Sequence, residues 1–161
     1  MSFHLHVRAA PAAEIRRDPA WIEAFMLAAW DRRREECAAG IANAIEKDFA
    51  EVNRLYTGAP DCPAGPGSPS GLPVFGGEPV LRDDGPPFLI MPTEQVGAAA
   101  AFLNEASFDA LWLASGAAIS ANQGGDPAFV REIFLSHHGG LVAFYGAAAD
   151  ADQAVLKAFW Y

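Results

Sequence analysis

The sequence predicts a single α+β domain, in which a small mixed or antiparallel sheet joins the N- and C-terminal strands and several helices pack against it. The chain of 161 residues has the length of one compact domain, with no internal repeat, so one unit is expected over residues 1–161. Residues 3–8 alternate between apolar and polar side chains, and residues 155–160 are rich in β-forming types. Between these ends, apolar residues recur mainly at helical spacing.

The first half of the chain contains one predicted strand and two long helical patterns. The strand over residues 3–9 is expected to pair with the last strand, which ties both termini into one sheet. Asp18 and Pro19 predict a helix start, because a capping acceptor precedes a proline at the first helical position. A further helix is predicted over residues 41–56, on the spacing of Ile41, Ile45, Phe49, Val52 and Tyr56.

Residues 58–72 are predicted to form a mobile loop. This stretch consists mainly of Pro, Gly, Ser and Ala, and almost no large apolar side chain is present to pack against a core. Its composition is typical of a loop inside a domain.

The second half predicts short strands followed by helices. Residues 73–75 and 79–81 are expected to be extended on either side of Gly76-Gly77, and residues 88–91 to form a buried strand. Three helices are predicted to begin at the capping residues Thr93, Ser107 and Asp126. The helix that begins at Asp126 is predicted to continue past Gly139 and Gly140.

Several short motifs resemble one known family. The segment from Ile45-Glu46-Lys47-Asp48-Phe49 to Leu55-Tyr56-Thr57-Gly58 resembles the Lys-x-Trp … Leu-Thr-Gly helix end of the YfbM-like family, bacterial proteins with a domain of unknown function. Residues 74–77, residues 88–96 and the Phe144-Tyr145 pair match further family segments in the same order. The resemblance covers nearly the whole chain, implies an α+β fold, and implies no activity.

Two positions depart from the family pattern. Phe49 stands where the family has tryptophan, and Asn53 stands where relatives often have histidine. If that histidine has a chemical role in relatives, a neutral amide replaces it here.

The charge of the chain excludes two classes of partner. Twenty acidic side chains against eleven basic ones give a formal charge of −9, and a negative surface disfavours both nucleic acid and anionic membranes. The first residues lack the basic and apolar regions of a secretion signal, and no uncharged stretch is long enough to cross a bilayer. We therefore expect a cytoplasmic protein.

Two histidines of the first strand are candidate binding residues. His4 and His6 lie two residues apart, so both point to the same face of the strand and together can supply two metal ligands. The spacing of the remaining residues forces no third or fourth ligand beside them, so we predict no metal site and no cofactor. A polar, partly exposed sheet face is the alternative interpretation.

Four residues of the predicted 41–56 helix form the other candidate site. Glu46 and Asn53 are seven residues apart, which places them above one another on a helix, beside Phe49 and Tyr56. Such a group is able to line a polar pocket. Equally, the amide is able to satisfy a loop backbone while the carboxylate stays in solvent.

Two functional hypotheses follow from these observations. The first is a non-catalytic binding module whose partner is a basic protein, as for immunity proteins that neutralise toxins, or a small molecule. The second is a small hydrolase-like enzyme with a pocket around Glu46, Asn53 and Tyr56, in which Glu46 is the acid or base. Whether the chain is an enzyme, and whether it is a monomer or a homodimer, stays open at this level.

Overall fold

Five antiparallel strands form one sheet in this computed structural model, which describes residues 3–61 and 68–161. The spatial order is β2-β1-β5-β4-β3. The strands are β1 (His4–Ala10), β2 (Ala42–Ile45), β3 (Glu78–Val80), β4 (Phe88–Met91) and β5 (Ala154–Trp160). The predicted pairing of the two terminal strands is confirmed: β1 and β5 are antiparallel neighbours, from His4 opposite Trp160 to Ala10 opposite Ala154.

Helices account for most of the rest of the described chain. They are α1 (Pro19–Asp31), α2 (Arg33–Ala38), α3 (Phe49–Thr57), α4 (Leu72–Phe75), α5 (Thr93–Glu105), α6 (Phe108–Gln123) and α7 (Pro127–Asp150), with 3-10 turns at Ala12–Glu14 and Pro69–Gly71. Asp18, Ser107 and Asp126 cap their helices as predicted, because each side chain accepts a hydrogen bond from a first-turn amide. The predicted cap at Thr93 is wrong: Thr93 is the first residue of α5, and the capping position before it is Pro92, whose side chain has no acceptor. None of these helices combines the length and the apolar character that crossing a membrane requires.

The sheet separates two hydrophobic cores. Alternate residues of the central strand β5 point to opposite faces, so Val155 and Phe159 join the larger core while Leu156 and Ala158 join the smaller one. Helices α3 to α7 cover the larger core, and α1 contributes Ile22 and Met26 to the smaller one. The other buried residues of the smaller core are Phe88, Ile90, Leu156 and Ala158. The domain therefore has three layers, with the sheet in the middle.

The helix predicted over residues 41–56 is wrong in its first half. Ala42–Ile45 is strand β2, and helix α3 begins only at Phe49. Gly40, with φ of +76°, reverses the chain after α2, and the next residues pair antiparallel with β1, from Leu5 opposite Ile45 to Arg8 opposite Ala42. Ladder pairing with β1 overrides the helical spacing of the side chains.

The predicted loop and the segment after it are also corrected. Pro69–Gly71 is a 3-10 turn and Leu72–Phe75 is a short helix, where the spacing predicted a loop and then an extended segment. Gly58 to Asp61 do follow α3 without regular structure, and residues 62–67 of the predicted loop lie outside the described residues. Pro73 stands in the first turn of α4, where its fixed φ suits a helix and its missing amide costs no bond.

Candidate functional site

An apolar cleft on the larger-core face of the sheet is the candidate binding site. Its volume is about 340 Å³, within the range of small-molecule sites. We call it the aromatic cleft, and its lining residues are Phe3, Phe49, Phe75, Pro86, Pro87, Leu89 and Phe159. The seven side chains are apolar, so the walls offer contact area rather than hydrogen bonds.

Three of the phenylalanines pack on one another from different elements. The ring of Phe49, at the start of α3, lies 5.4 Å from that of Phe159 on β5 and 6.0 Å from that of Phe75 at the end of α4. Phe75 and Phe159 stack with their centroids 5.9 Å apart. At another wall, Phe3 contacts the exposed ring of Tyr161 at 4.3 Å. Rings in mutual contact hold one another in place, so this part of the cleft is preformed.

Arg82 connects two walls of the cleft through their backbone. Its Nε donates to the carbonyl of Pro86 at 2.8 Å, and its Nη2 donates to the carbonyl of Phe159 at 3.1 Å. The guanidinium also lies 4.5 Å from the centre of the Phe88 ring and 5.4 Å from that of Trp160. These contacts keep the side chain of Arg82 only 9% exposed.

A buried lysine and tyrosine hold the segment that carries Phe75. Lys157 has no solvent exposure, and its Nζ donates to the carbonyls of Leu72 at 2.5 Å and Val74 at 3.2 Å. Tyr145 donates its hydroxyl to the carbonyl between them, that of Pro73, at 2.7 Å. Burial holds the pKa of Lys157 well below its ordinary value and raises the pKa of Tyr145.

The two candidate histidines lie on the opposite face of the sheet, away from the cleft. His6 is fully buried, its ring is 5.3 Å from that of Trp30, and neither ring nitrogen has a hydrogen-bond partner among the described residues. Burial lowers the pKa of His6 to about 4; the carboxylate of Glu36 opposes this shift, and Arg8 adds to it. His4 is partly exposed, with its ring 5.9 Å from Trp30.

No metal site accompanies these histidines within the described part of the chain. There, no group of three or more His, Cys, Asp or Glu side chains is placed to hold an ion. Glu36, the acidic group near His6, instead pairs with Arg8 at 2.7 Å and with Arg32 at 3.1 Å. Its oxygens are thus committed to guanidinium groups.

The group predicted around Glu46 is dispersed in the structure. Glu46 is exposed in the connection between β2 and α3, so it does not share a helix face with Asn53. Asn53 is fully buried and donates from Nδ2 to the carbonyl of Ala59 at 2.8 Å, a structural bond just beyond α3. The hydroxyl of Tyr56 lies 3.0 Å from Nδ1 of His138, and burial raises the pKa of this tyrosine.

Comparison with known proteins identifies the family. A family model described as a domain of unknown function, DUF1877, matches residues 1–158. The chain belongs to this DUF1877 family. Among solved structures it is similar to the protein of unknown function YfbM from Escherichia coli, with a TM-score of 0.60, 13% identity and full coverage of both chains. At that identity the likeness shows the shared fold alone, and no curated protein matches.

In this DUF1877 domain, the sequence predicted one residue of the cleft, Phe49, and missed the rest. The other walls come from distant segments, and short apolar runs give no signal that they will meet. Lys157 did carry a signal. It is one of only two lysines, and it interrupts a β-forming stretch at a position that alternation places between Val155 and Phe159 on the core face.

Proposed function

We propose that this DUF1877 protein is a non-catalytic binding module whose site is the aromatic cleft and whose ligand is a small, uncharged apolar molecule. The observation that carries the proposal is the lining of the cleft: a volume of about 340 Å³ bounded by phenylalanine, proline and leucine side chains. Ligand sites of this size are usually lined mostly by such residues, with a few polar groups that fix orientation.

The composition of the walls supports binding rather than a reaction. None of the seven lining side chains is a nucleophile, an acid or a base, so these described walls supply no side chain for proton transfer or covalent attack. A formal charge on the ligand would lose its hydration against these walls without a hydrogen bond in return. An uncharged molecule with a flat apolar body therefore suits the cleft best.

Titration with N-phenyl-1-naphthylamine, an uncharged dye that brightens in apolar surroundings, tests the proposal. We expect saturable binding by the wild-type protein. Phe49→Ala removes the ring that contacts both Phe75 and Phe159, so its affinity should fall about tenfold, equal to 1.4 kcal/mol. Phe129→Ala is the matched control, because Phe129 is an exposed phenylalanine outside the cleft lining.

The titration has two results that would contradict the proposal. One is the absence of saturable binding by the folded wild-type protein. The other is an equal loss of affinity in Phe49→Ala and Phe129→Ala, which would place the dye elsewhere on the surface. Circular dichroism of each variant ensures that only folded protein is compared.

Charge favours a second candidate, a basic protein partner. The chain carries −9, and Asp83 and Asp84 are exposed beside the cleft residue Pro86. Complementary charge accelerates the encounter of an acidic domain with a basic partner. Native mass spectrometry of protein gently purified from its own host separates the candidates: a retained small molecule supports the first, and a basic protein released by salt supports the second.

The charged pair beside the cleft gives this second candidate a matched test. If a basic protein is retained, the double variant Asp83→Asn/Asp84→Asn should weaken its salt-sensitive binding, because two charges near the site are removed. Asp150→Asn/Asp152→Asn changes the net charge equally at the other end of the sheet, beside the start of β5. Equal weakening by both doubles would mean that only the overall charge matters.

A further inference from the structure

The geometry points to Arg82 as the positioning residue that sets the width of the aromatic cleft and so selects its ligands by size. This inference rests on the proposed function, since it assumes that the cleft binds apolar molecules. Arg82 does not line the cleft. It acts through the carbonyls of two residues that do, Pro86 and Phe159.

The two hydrogen bonds fix one wall relative to another. Phe159 belongs to the central strand β5, which pairs with β1 and β4 and cannot move alone. Pro86 belongs to the connection between β3 and β4, where it has no ladder partner. The planar guanidinium donates to both carbonyls at once, so it transfers the rigidity of the sheet to the proline wall.

The rest of the connection is shaped around the guanidinium. Arg82 contacts the adjacent rings of Phe88 and Trp160 and lies 3.8 Å from Glu23, so its position is defined by several neighbours. Gly85 has φ of +143°, and a Cβ built on it would lie 2.9 Å from Nη2 of Arg82. Glycine at this position therefore provides both the backbone conformation and the space that the arginine needs.

Loss of the guanidinium should change selectivity more than folding. Without it, the Pro86–Pro87 wall loses its hydrogen bond to the guanidinium, and the cleft is free to widen while the Phe49, Phe75 and Phe159 rings keep their contacts. A small ligand then loses contact with one wall, whereas a larger ligand fills the widened space. The ratio of two affinities reports this effect, because a lower folded fraction would reduce both affinities alike.

Titrations with two uncharged dyes of different size, N-phenyl-1-naphthylamine and the larger Nile red, test the inference. In Arg82→Lys the affinity for the smaller dye should fall about tenfold relative to that for the larger, because lysine keeps the charge but lacks the fork that reaches two carbonyls. Gly85→Ala should shift the ratio in the same direction. Arg131→Ala, which also removes a guanidinium near a phenylalanine and beside an acidic group, should leave the ratio unchanged.

The proposed function and the role of Arg82 are contradicted by different outcomes. If the folded wild-type protein binds neither dye, the proposed function fails and this inference fails with it. If the wild type binds but Arg82→Lys changes both affinities by one factor, or keeps the wild-type ratio, the cleft is a binding site and Arg82 does not set its width. Arg82→Gln repeats the measurement with a neutral side chain, so a folding defect of one variant does not decide the result.

Discussion

The two faces of the sheet bury basic side chains in different ways. On the face covered by α1 and α2, Arg8 lies 2.7 Å from the buried carboxylate of Glu36, so the two opposite charges form an ion pair. On the opposite face, Lys157 is fully buried, and its hydrogen-bond partners among the described residues are two neutral carbonyl oxygens. The same sheet therefore holds an ion pair on one side and, on the other, an amine bound to neutral carbonyl oxygens.

The difference teaches how burial selects a protonation state. A guanidinium stays charged in proteins, so the cost of burying its charge must be offset, and Glu36 does this for Arg8. An amine is able to lose its proton instead, and the neutral form of Lys157 still has two hydrogens to donate to the carbonyls of Leu72 and Val74. His6 is an intermediate case: it lies near the ion pair, yet its ring nitrogens have no hydrogen-bond partner among the residues that the structure describes.

The largest expected effect comes from breaking the ion pair. Glu36→Ala leaves Arg8 charged and poorly solvated, so the free energy of unfolding should fall by roughly 3 to 5 kcal/mol in urea titrations. Arg32→Ala is the control: this arginine also contacts Glu36, but its side chain is 62% exposed, and its loss should cost less than about 1 kcal/mol. Equal effects would mean that burial does not distinguish the two pairs.

The next effect is the acid dependence that His6 contributes. Burial lowers the pKa of His6 from 6.5 to about 4. Between these two pH values the His6 ring binds a proton in the unfolded chain and does not bind one in the folded chain. Stability should therefore fall as the pH decreases from 6.5 to 4, by about 3 kcal/mol from this group.

Comparison of the wild type with His6→Leu isolates that contribution. The leucine variant should lose less stability over the same pH range, since it lacks the titrating ring and its two unpartnered nitrogens. His138, whose pKa burial also lowers, remains in both proteins and cancels in the difference. Unfolding curves that shift in parallel with pH would show that His6 is not held neutral.

The sequence predicted the architecture well where local pattern and tertiary structure agree. The terminal strands and the helices capped by Asp18, Ser107 and Asp126 all appear, because alternation and capping act within a few residues. The prediction of one helix over residues 41–56 was wrong because the same spacing of apolar residues is also compatible with a strand, a turn and a helix in succession. Only pairing with β1 decides between these, and that pairing involves residues far away in the chain.

The candidate site was predicted less well, for a related reason. Polar residues such as Glu46 and Asn53 attracted attention by type, whereas the cleft is built from phenylalanines and prolines that a sequence does not distinguish from core. Phe49 was found through its polar neighbours rather than through its role in the cleft. Arg82 reaches the cleft residues Pro86 and Phe159 through their backbone carbonyls, which no side-chain pattern records.

A smaller effect should appear on the other face at alkaline pH. Burial lowers the pKa of Lys157 in the folded state, whereas the ordinary pKa of a lysine is near 10.5. Between these two pKa values the unfolded chain binds a proton that the folded chain does not bind, so the stability of the folded state should rise with pH. Relative to Lys157→Met, the wild type should gain stability between pH 7 and pH 9. A difference that is constant with pH would mean that Lys157 stays protonated in the core.

The smallest expected effect on stability tests the hydrogen bonds to backbone carbonyls on this face separately from the charge of Lys157. Tyr145→Phe removes the hydroxyl that binds the carbonyl of Pro73, between the two carbonyls that Lys157 holds, and leaves a buried acceptor unpaired. The free energy of unfolding should fall by about 1 to 3 kcal/mol at neutral pH, with the lower figure expected if Lys157 shifts toward the free oxygen. Tyr161→Phe, at an exposed tyrosine, should change nothing measurable.

The pH dependence of the Tyr145→Phe variant decides what the carbonyls do. If they serve only as acceptors for a neutral amine, the loss should be the same at pH 7 and pH 9. A loss that shrinks as the pH falls would mean that the freed carbonyl stabilises a protonated Lys157, since an ammonium has three hydrogens to donate and the folded variant would then bind the proton that the unfolded chain binds. In that case both faces of the sheet would stabilise a buried positive charge. Carbonyl dipoles would stabilise it on one face, and the carboxylate of Glu36 would stabilise it on the other.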